Sequence, residues 1–557
     1  MTRWLRWWAV VALCPLLGVP ALAVAAQAIA SAHPLATRAG EATLAAGGNA
    51  FDAAVAVAAA LAVVEPYSSG LGGGGFLLLH RAADGTQVMV DGRETAPQSA
   101  TAERYRDANG QPLPGATTRG GTAVGVPGLP AALVHVARRY GRLPLATTLA
   151  PAIQLARDGF AVDGRYARIA ALRESVLRTH DRAAAIFLHE GRAPAVGHLL
   201  RQPGLADTLQ RLADEGRAGF YAGPVAAAIV ATVNAAGAAW TSDDLAQYRV
   251  VERAPLRMRY RGATIVSAPL PSAGGVALAQ TLAMLERFDL RDTRSPADAH
   301  VIVEALRRAF QDRARYLGDG DHVAVPLAAL LEPDYLGGRA ASIDPRRATP
   351  SSALPGPDVS KPESGNTTHL SVVDADGNRV AATLSINWIF GSGLVAGSTG
   401  VLLNNEMDDF TVRADVENSY RLRGGHANAI APGKRPLSSM TPTFVEDARG
   451  VLVLGAPGGS RIISQVLLAV LDHVHRADPD LPAIAGAPRY HHQFLPDRLE
   501  VEPEAFDENW RKAMADRGHR IEAASRRWGN LQLVFQSADR RVARAANDPR
   551  GTGVAWY

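Results

Sequence analysis

The chain has 557 residues, 47% of them hydrophobic, and a formal charge of +4. It is long enough to bury the core of one large domain or two ordinary ones, and its 58 basic and 54 acidic residues are scattered, which argues against a nucleic-acid footprint. The single cysteine, Cys14, lies in an N-terminal apolar run; a chain trimmed of that run has no disulfide, no thiol nucleophile and no thiolate metal site.

In chain order, Arg3 and Arg6 precede an apolar stretch that ends in small residues such as Ala23-Val24-Ala25. This is a secretory signal pattern, ending near residue 28, and it predicts export to the periplasm or the medium. Pro15 and Pro20 interrupt the run, against a retained anchor, and no later segment reads as long and apolar enough to span a bilayer. Residues 36–64 read as a short helix, a Gly-Gly-Asn turn and a buried alanine-rich helix. The run GLGGGG then opens into a strand; it lacks the Lys-Ser/Thr pair and the spacing of a nucleotide loop, and reads as close backbone packing. VMVDGRETAP is a strand ending in a polar turn. Residues 144–340 are mostly helical, with RGATIVSAPLPSAGG as a strand and loop within them. Residues 345–366 carry Pro, Ser and charge without periodicity, and are expected to form a mobile linker. Strands follow, then VLVLGAPGGSRIISQ as a strand, glycine turn and helix. His491-His492 has no ligand partners at metal spacing, there is no G-x-S-x-G elbow, and no metal or cofactor is expected.

The chemistry concentrates after the linker. TTHLSVVD and RVAATLSIN flank ADGN, a hairpin signal. A three-residue or bulged turn places Thr367 opposite Ser385, with Asn387 a step further on the same face; a two-residue Asp-Gly turn sends Ser385 to the other face. A threonine hydroxyl needs an adjacent base. An N-terminal threonine carries one, an α-amine with a pKa of roughly 7.7–8.0. Thr367 is internal, so this works only if the Asn366–Thr367 bond is cut. On the triplet alone, a plain strand start explains Thr367 as well.

The run T-T-H-x-S-x-x-D-x-D-G-N-x-V-A-x-T-x-x-x-N-x-x-F-G resembles the γ-glutamyltranspeptidase family. GGNAFDAAVAVAAALAVVEP, GLGGGGF, DGRETAP, GVLLNNEMDDF, KRPLSSMTPT, GAPGGSR, PRYHHQFLPD and NDPR match that family's landmarks in order. The resemblance implies an α+β fold, the four-layer αββα sandwich of N-terminal-nucleophile hydrolases. A precursor would cut itself into a large subunit (29–366) and a small catalytic one (367–557) that stay together as a heterodimer. Thr367 is then the nucleophile and Ser385 its hydroxyl partner. Gly458 and Gly459 supply oxyanion N–H donors. Arg93, Ser438 and Ser439 read the α-carboxylate of a γ-glutamyl donor, while Asn387, Glu406 and Asp409 hold its ammonium. Glu406 stands where family members carry Gln or Glu, and Ser385 where they usually carry Thr. Tyr420 would cover the nucleophile from a lid. The implied activity is γ-glutamyl transfer from glutathione and related small molecules to water or amine acceptors. The alternatives are a glutaryl or cephalosporin-type acylase, or a poly-γ-glutamate hydrolase, of the same fold.

Overall fold

The computed structural model describes residues 26–354, 367–413, 416, 422 and 424–557. Its centre is a pair of facing sheets. One has seven strands in the order Val554–Trp556, Ala28–Ser31, Thr367–Val373, Arg379–Ser385, Gly74–Arg81, Thr86–Gly92 and Val251–Arg253. The other has six: Ala543–Asn547, Gln532–Ser537, Gly450–Gly455, Thr443–Asp447, Ala263–Ser267 and Leu256–Tyr260.

Side chains alternate across a strand, and here both faces are apolar. Leu77, Leu79, Leu370, Val372, Val380 and Ala382 join one core, with the helices Pro34–Ala45, Ala50–Val64, Leu129–Tyr140 and Leu145–Asp158. Phe76, Leu78, Val373 and Ala381 turn the other way, into a second core shared with the six-stranded sheet and the helices Ala273–Leu285, Pro296–Tyr316 and Arg461–His475. Helices therefore cover each sheet's outer face, which is the expected αββα sandwich.

The helix Ala50–Val64 starts as its sequence suggests. Asn49 accepts hydrogen bonds from Phe51 N and Asp52 N, and Asp52 Oδ2 accepts one from Asn49 N, a capping box. All its residues are buried, so small side chains are needed for neighbours to approach. A Cβ on Gly40 of the preceding helix would lie 2.6 Å from Val57 Cγ2 and 2.8 Å from Ile29 Cδ1. The glycine run packs as closely: a Cβ on Gly73 would come within 2.1 Å of the Ser385 carbonyl oxygen.

Three boundaries differ from expectation. Ala28 already pairs with Val373, and Ala26 N donates to Arg540 O at 2.8 Å, so the fold starts inside the segment assigned to the signal, whose residues 1–25 lie outside the described residues. The linker's first ten residues are anchored. Ala348 N reaches Arg517 O at 2.7 Å, and Ser351 bonds Asp497, Phe494 and Arg307 at 2.6–2.7 Å. Residues 355–366 of that linker lie outside the described residues. Finally, Ala218–Ala235 is long and apolar enough for a membrane span, contrary to expectation. Its backbone breaks at Ala222 (φ −138°, ψ 174°), and Val225, Ala226, Ile229 and Val233 face the first core.

Candidate active site

The register places the threonine. Asp374 N donates to Asn378 O at 3.0 Å around a three-residue loop closed by Gly377, whose φ of 91° suits a glycine. Thr367 therefore pairs with Ser385, as the longer turn predicts. Their hydroxyl oxygens are 3.5 Å apart. Ser385 Oγ also accepts the Asn387 N–H at 2.8 Å, and Asn387 holds a left-handed φ of 70°, steadied by its Nδ2 donating to Asn405 O at 2.9 Å.

Thr367 is 4% exposed and shares its face with His369 and Ser371. His369 bonds Thr383 Oγ1 at 2.8 Å and Ser371 Oγ at 3.2 Å, and burial pushes its pKa down to about 3. It is a neutral structural imidazole whose ring nitrogens are engaged by Thr383 and Ser371, away from Thr367. Thr368 points to the opposite face and donates to Glu65 Oε2 at 2.9 Å.

Seven expected residues converge on one narrow cavity: Thr367, Ser385, Glu406, Asp409, Ser438, Ser439 and Gly459, beside Leu422, Met440, Ser460 and Ile462. Gly458 (φ 130°) and Gly459 (φ 59°) form the turn between the strand Gly450–Gly455 and the helix Arg461–His475. Among the described residues their N–H groups donate no hydrogen bond. They lead into a helix N-terminus, where partial positive charge gathers. Asn366 and Tyr420 lie outside the described residues.

Arg93 is placed differently from a simple carboxylate reader. It is wholly buried, off the cavity wall, and its guanidinium bonds Glu406 Oε1 and, at 2.5 Å, Asp409 Oδ2. Burial works against its charge, but Glu406, Asp409 and Glu94 outweigh that and raise its pKa. Burial pushes Glu406 up to about 7 despite Arg93, and also raises Asp409 and Glu94. Neither carboxylate oxygen of Glu94 has a hydrogen-bond partner. Three carboxylates thus crowd one arginine, and an unpaired buried charge is costly. The pocket favours an incoming cation.

Sequence reasoning missed Arg313. It is buried on the helix Pro296–Tyr316 and donates to Ser439 Oγ at 3.3 Å; burial lowers its pKa to about 10, opposed by Asp409. An arginine at a buried helix position was its only signal. Asn404 was missed as well; its Oδ1 accepts from Gly125 N and Glu406 N at 2.9 Å and sets the acidic turn.

The sandwich, with a threonine heading a central strand and free N–H groups across from it, is the architecture of the N-terminal-nucleophile hydrolases. Sequence comparison narrows this. A profile of the family described as gamma-glutamyltranspeptidase matches residues 36–557. The glutathione hydrolase proenzyme of Escherichia coli (strain K12) is 42% identical over 526 residues, covering 94% of this chain and 90% of its own. Among solved structures, cephalosporin acylase from Bacillus halodurans superposes with a TM-score of 0.85 at 29% identity, over 96% of each chain. Helicobacter pylori gamma-glutamyltranspeptidase gives 0.57 at 37% identity, over 58% of this chain and 94% of that one. The chain belongs to the γ-glutamyltranspeptidase family, and it is an enzyme of that family.

Proposed function

We propose that this enzyme removes the γ-glutamyl group from glutathione and other γ-glutamyl compounds and passes it to water or to an amine. The observation that carries this reading is the charge pattern of the cavity. Glu406 and Asp409 line it together with the hydroxyls of Ser438 and Ser439, and Arg313 donates to Ser439. A zwitterionic amino-acid head fits that lining. Its ammonium supplies the charge the carboxylates lack. As Glu406 and Asp409 turn to it, Arg93 is released toward the α-carboxylate, which its planar fork suits.

The cycle starts with activation. Thr367 Oγ attacks the carbonyl carbon of Asn366, the C–N bond breaks, and the acyl group moves to oxygen as an ester. Water hydrolyses the ester, leaving Asn366 with a carboxylate and Thr367 with a free amine. In turnover that amine takes the Thr367 hydroxyl proton as the oxygen attacks the donor's γ-carbonyl. Gly458 and Gly459 N–H groups hold the oxyanion, a contribution of about 3–4 kcal/mol per donor in comparable sites. The leaving amine departs with the proton, and water or an acceptor amine releases the γ-glutamyl group by the reverse sequence. The two chains remain associated because the Thr367–Val373 strand pairs with Ala28–Ser31 and the Arg379–Ser385 strand pairs with Gly74–Arg81. The limited span of the Helicobacter pylori match is consistent with such a divided enzyme. The N-terminal pattern further supports export.

A second reading, acylase action on glutaryl amides, is favoured by the close superposition on cephalosporin acylase. A glutaryl group lacks the ammonium, so it leaves the Glu406–Asp409 seat unfilled. Assay of processed enzyme with a γ-glutamyl anilide, with and without glycylglycine, tests the main reading. Release of the aniline, accelerated by the dipeptide, is the expected result; turnover of glutaryl anilide alone would replace it.

A further inference from the structure

The Pro457–Gly459 turn has two sides. Gly459 lines the narrow cavity with Thr367. Gly458 and Pro457 line a separate open cleft of about 610 Å³. Its wall carries six arginines: Arg165, Arg168, Arg461, Arg526, Arg527 and Arg550. Glu500 is the one carboxylate on that wall among the described residues, and Arg461 takes both its oxygens at 2.7 Å while stacking over Trp528. Arg550 is tied to Glu502 and Asp548 at 2.6 and 3.0 Å.

Of the other four, Arg165 is held by longer contacts: Glu65 lies 3.9 Å away, and although burial opposes them, Tyr67, Glu65 and Asp163 raise its pKa. Arg168, Arg526 and Arg527 form no ion pair among the described residues. Loss of hydration in the cleft, followed by the charges of Arg461, Arg165 and Arg168, lowers the Arg526 pKa. Like charges gathered in a concave surface are unfavourable alone and raise the local concentration of anions.

An acyl carbon at the turn has two substituents to place. If the γ-glutamyl head fills the cavity on the Gly459 side and the oxyanion meets the turn, the amine side of the scissile bond projects past Gly458 into the arginine cleft. We propose that this cleft is the subsite for the leaving amine and the acceptor amine, and that it selects amines bearing a carboxylate, such as the C-terminal carboxylate of a peptide. The proposal rests on the γ-glutamyl reading above. One cleft serves both partners because acyl transfer to an acceptor retraces departure of the leaving group: in each direction one C–N bond exchanges with the Thr367 ester and one proton passes through the α-amine.

The test uses processed enzyme and three donors: γ-glutamyl-alanyl-glycine, its C-terminal amide, and γ-glutamyl 4-nitroanilide. Wild type should prefer the carboxylate over the amide by about tenfold in kcat/KM, a charge-assisted contact's worth. In R168A/R526A the ratio should fall toward one through a raised KM, and in R526E below one, while the amide-to-anilide ratio keeps its wild-type value. Self-cleavage seen on a gel shows that each variant has folded. A wild-type carboxylate-to-amide ratio near one overturns the subsite, as does an equal loss on all three donors in R168A/R526A. Wild type that turns over none of the three overturns the γ-glutamyl reading itself, and the subsite with it.

Discussion

The two sides of the Pro457–Gly459 turn solve opposite problems. On the cavity side, charges are buried and interlocked: Arg93 serves Glu406 and Asp409, with Glu94 3.5 Å away. Such a network is unforgiving, because removing one member strands the others. On the cleft side Arg168, Arg526 and Arg527 are exposed and form no ion pair among the described residues. Each can change at modest cost to folding. On the two proposals above, recognition of the acyl head is built into the core, whereas recognition of the amine partner is carried on the surface.

The sharpest break of this contrast falls on the cavity side. Thr367→Ala should leave an uncut, inactive chain, with turnover below about one-thousandth of wild type, read by gel and anilide assay. Turnover by this variant would remove Thr367 from the chemistry. Next is Arg93→Lys. Lysine cannot make the forked contact, so KM for the γ-glutamyl donor should rise about tenfold or more, at ~1–3 kcal/mol for a lost charged hydrogen bond. Self-cleavage should persist, since no donor takes part in it. An unchanged KM places Arg93 outside donor recognition.

A third, smaller effect separates the two readings of the cavity. A γ-glutamyl amide should exceed the matching glutaryl amide by at least roughly tenfold in kcat/KM. Asp409→Asn should narrow that gap by slowing the γ-glutamyl reaction. Equal wild-type rates would reject the ammonium seat. The smallest effect is one of pH. Folding raises the Glu406 pKa from 4.5 to about 7. Its contribution to stability is therefore fully present below about 4.5 and lost as pH rises through 7. Glu406→Gln mimics the protonated form, so its melting temperature should gain on wild type between pH 5 and pH 8, by the equivalent of about 1–3 kcal/mol. A gap independent of pH would contradict the crowded-carboxylate description.

What the sequence made legible follows the same division. Short-range signals carried far: the Gly-Gly-Asn turn before the buried alanine-rich helix, the ADGN hairpin and the close packing of the glycine run were readable, because each depends on a few adjacent residues, whereas the Thr367–Ser385 register stood open between two turn lengths until the three-residue loop decided it. The cavity's membership was readable through motif resemblance. The role of Arg93 as partner of Glu406 and Asp409 was not, since the pairing spans more than three hundred residues. Arg313 was hidden in a helix whose polar residues 304, 307, 308 and 311–313 are all buried, which defeats amphipathic periodicity. The arginine cleft assembles Arg165, Arg461 and Arg526 from three distant segments, none a motif. The strands Val251–Arg253 and Leu256–Tyr260 were submerged in a mostly helical reading because they are short, partly exposed edge elements.

The central claim is that the seam between residues 366 and 367 is cut to free the Thr367 amine. Intact mass with N-terminal sequencing of the purified, active protein tests it most directly. Two chains held together, the smaller beginning Thr-Thr-His, are expected. An active preparation consisting of one uncut chain would contradict it.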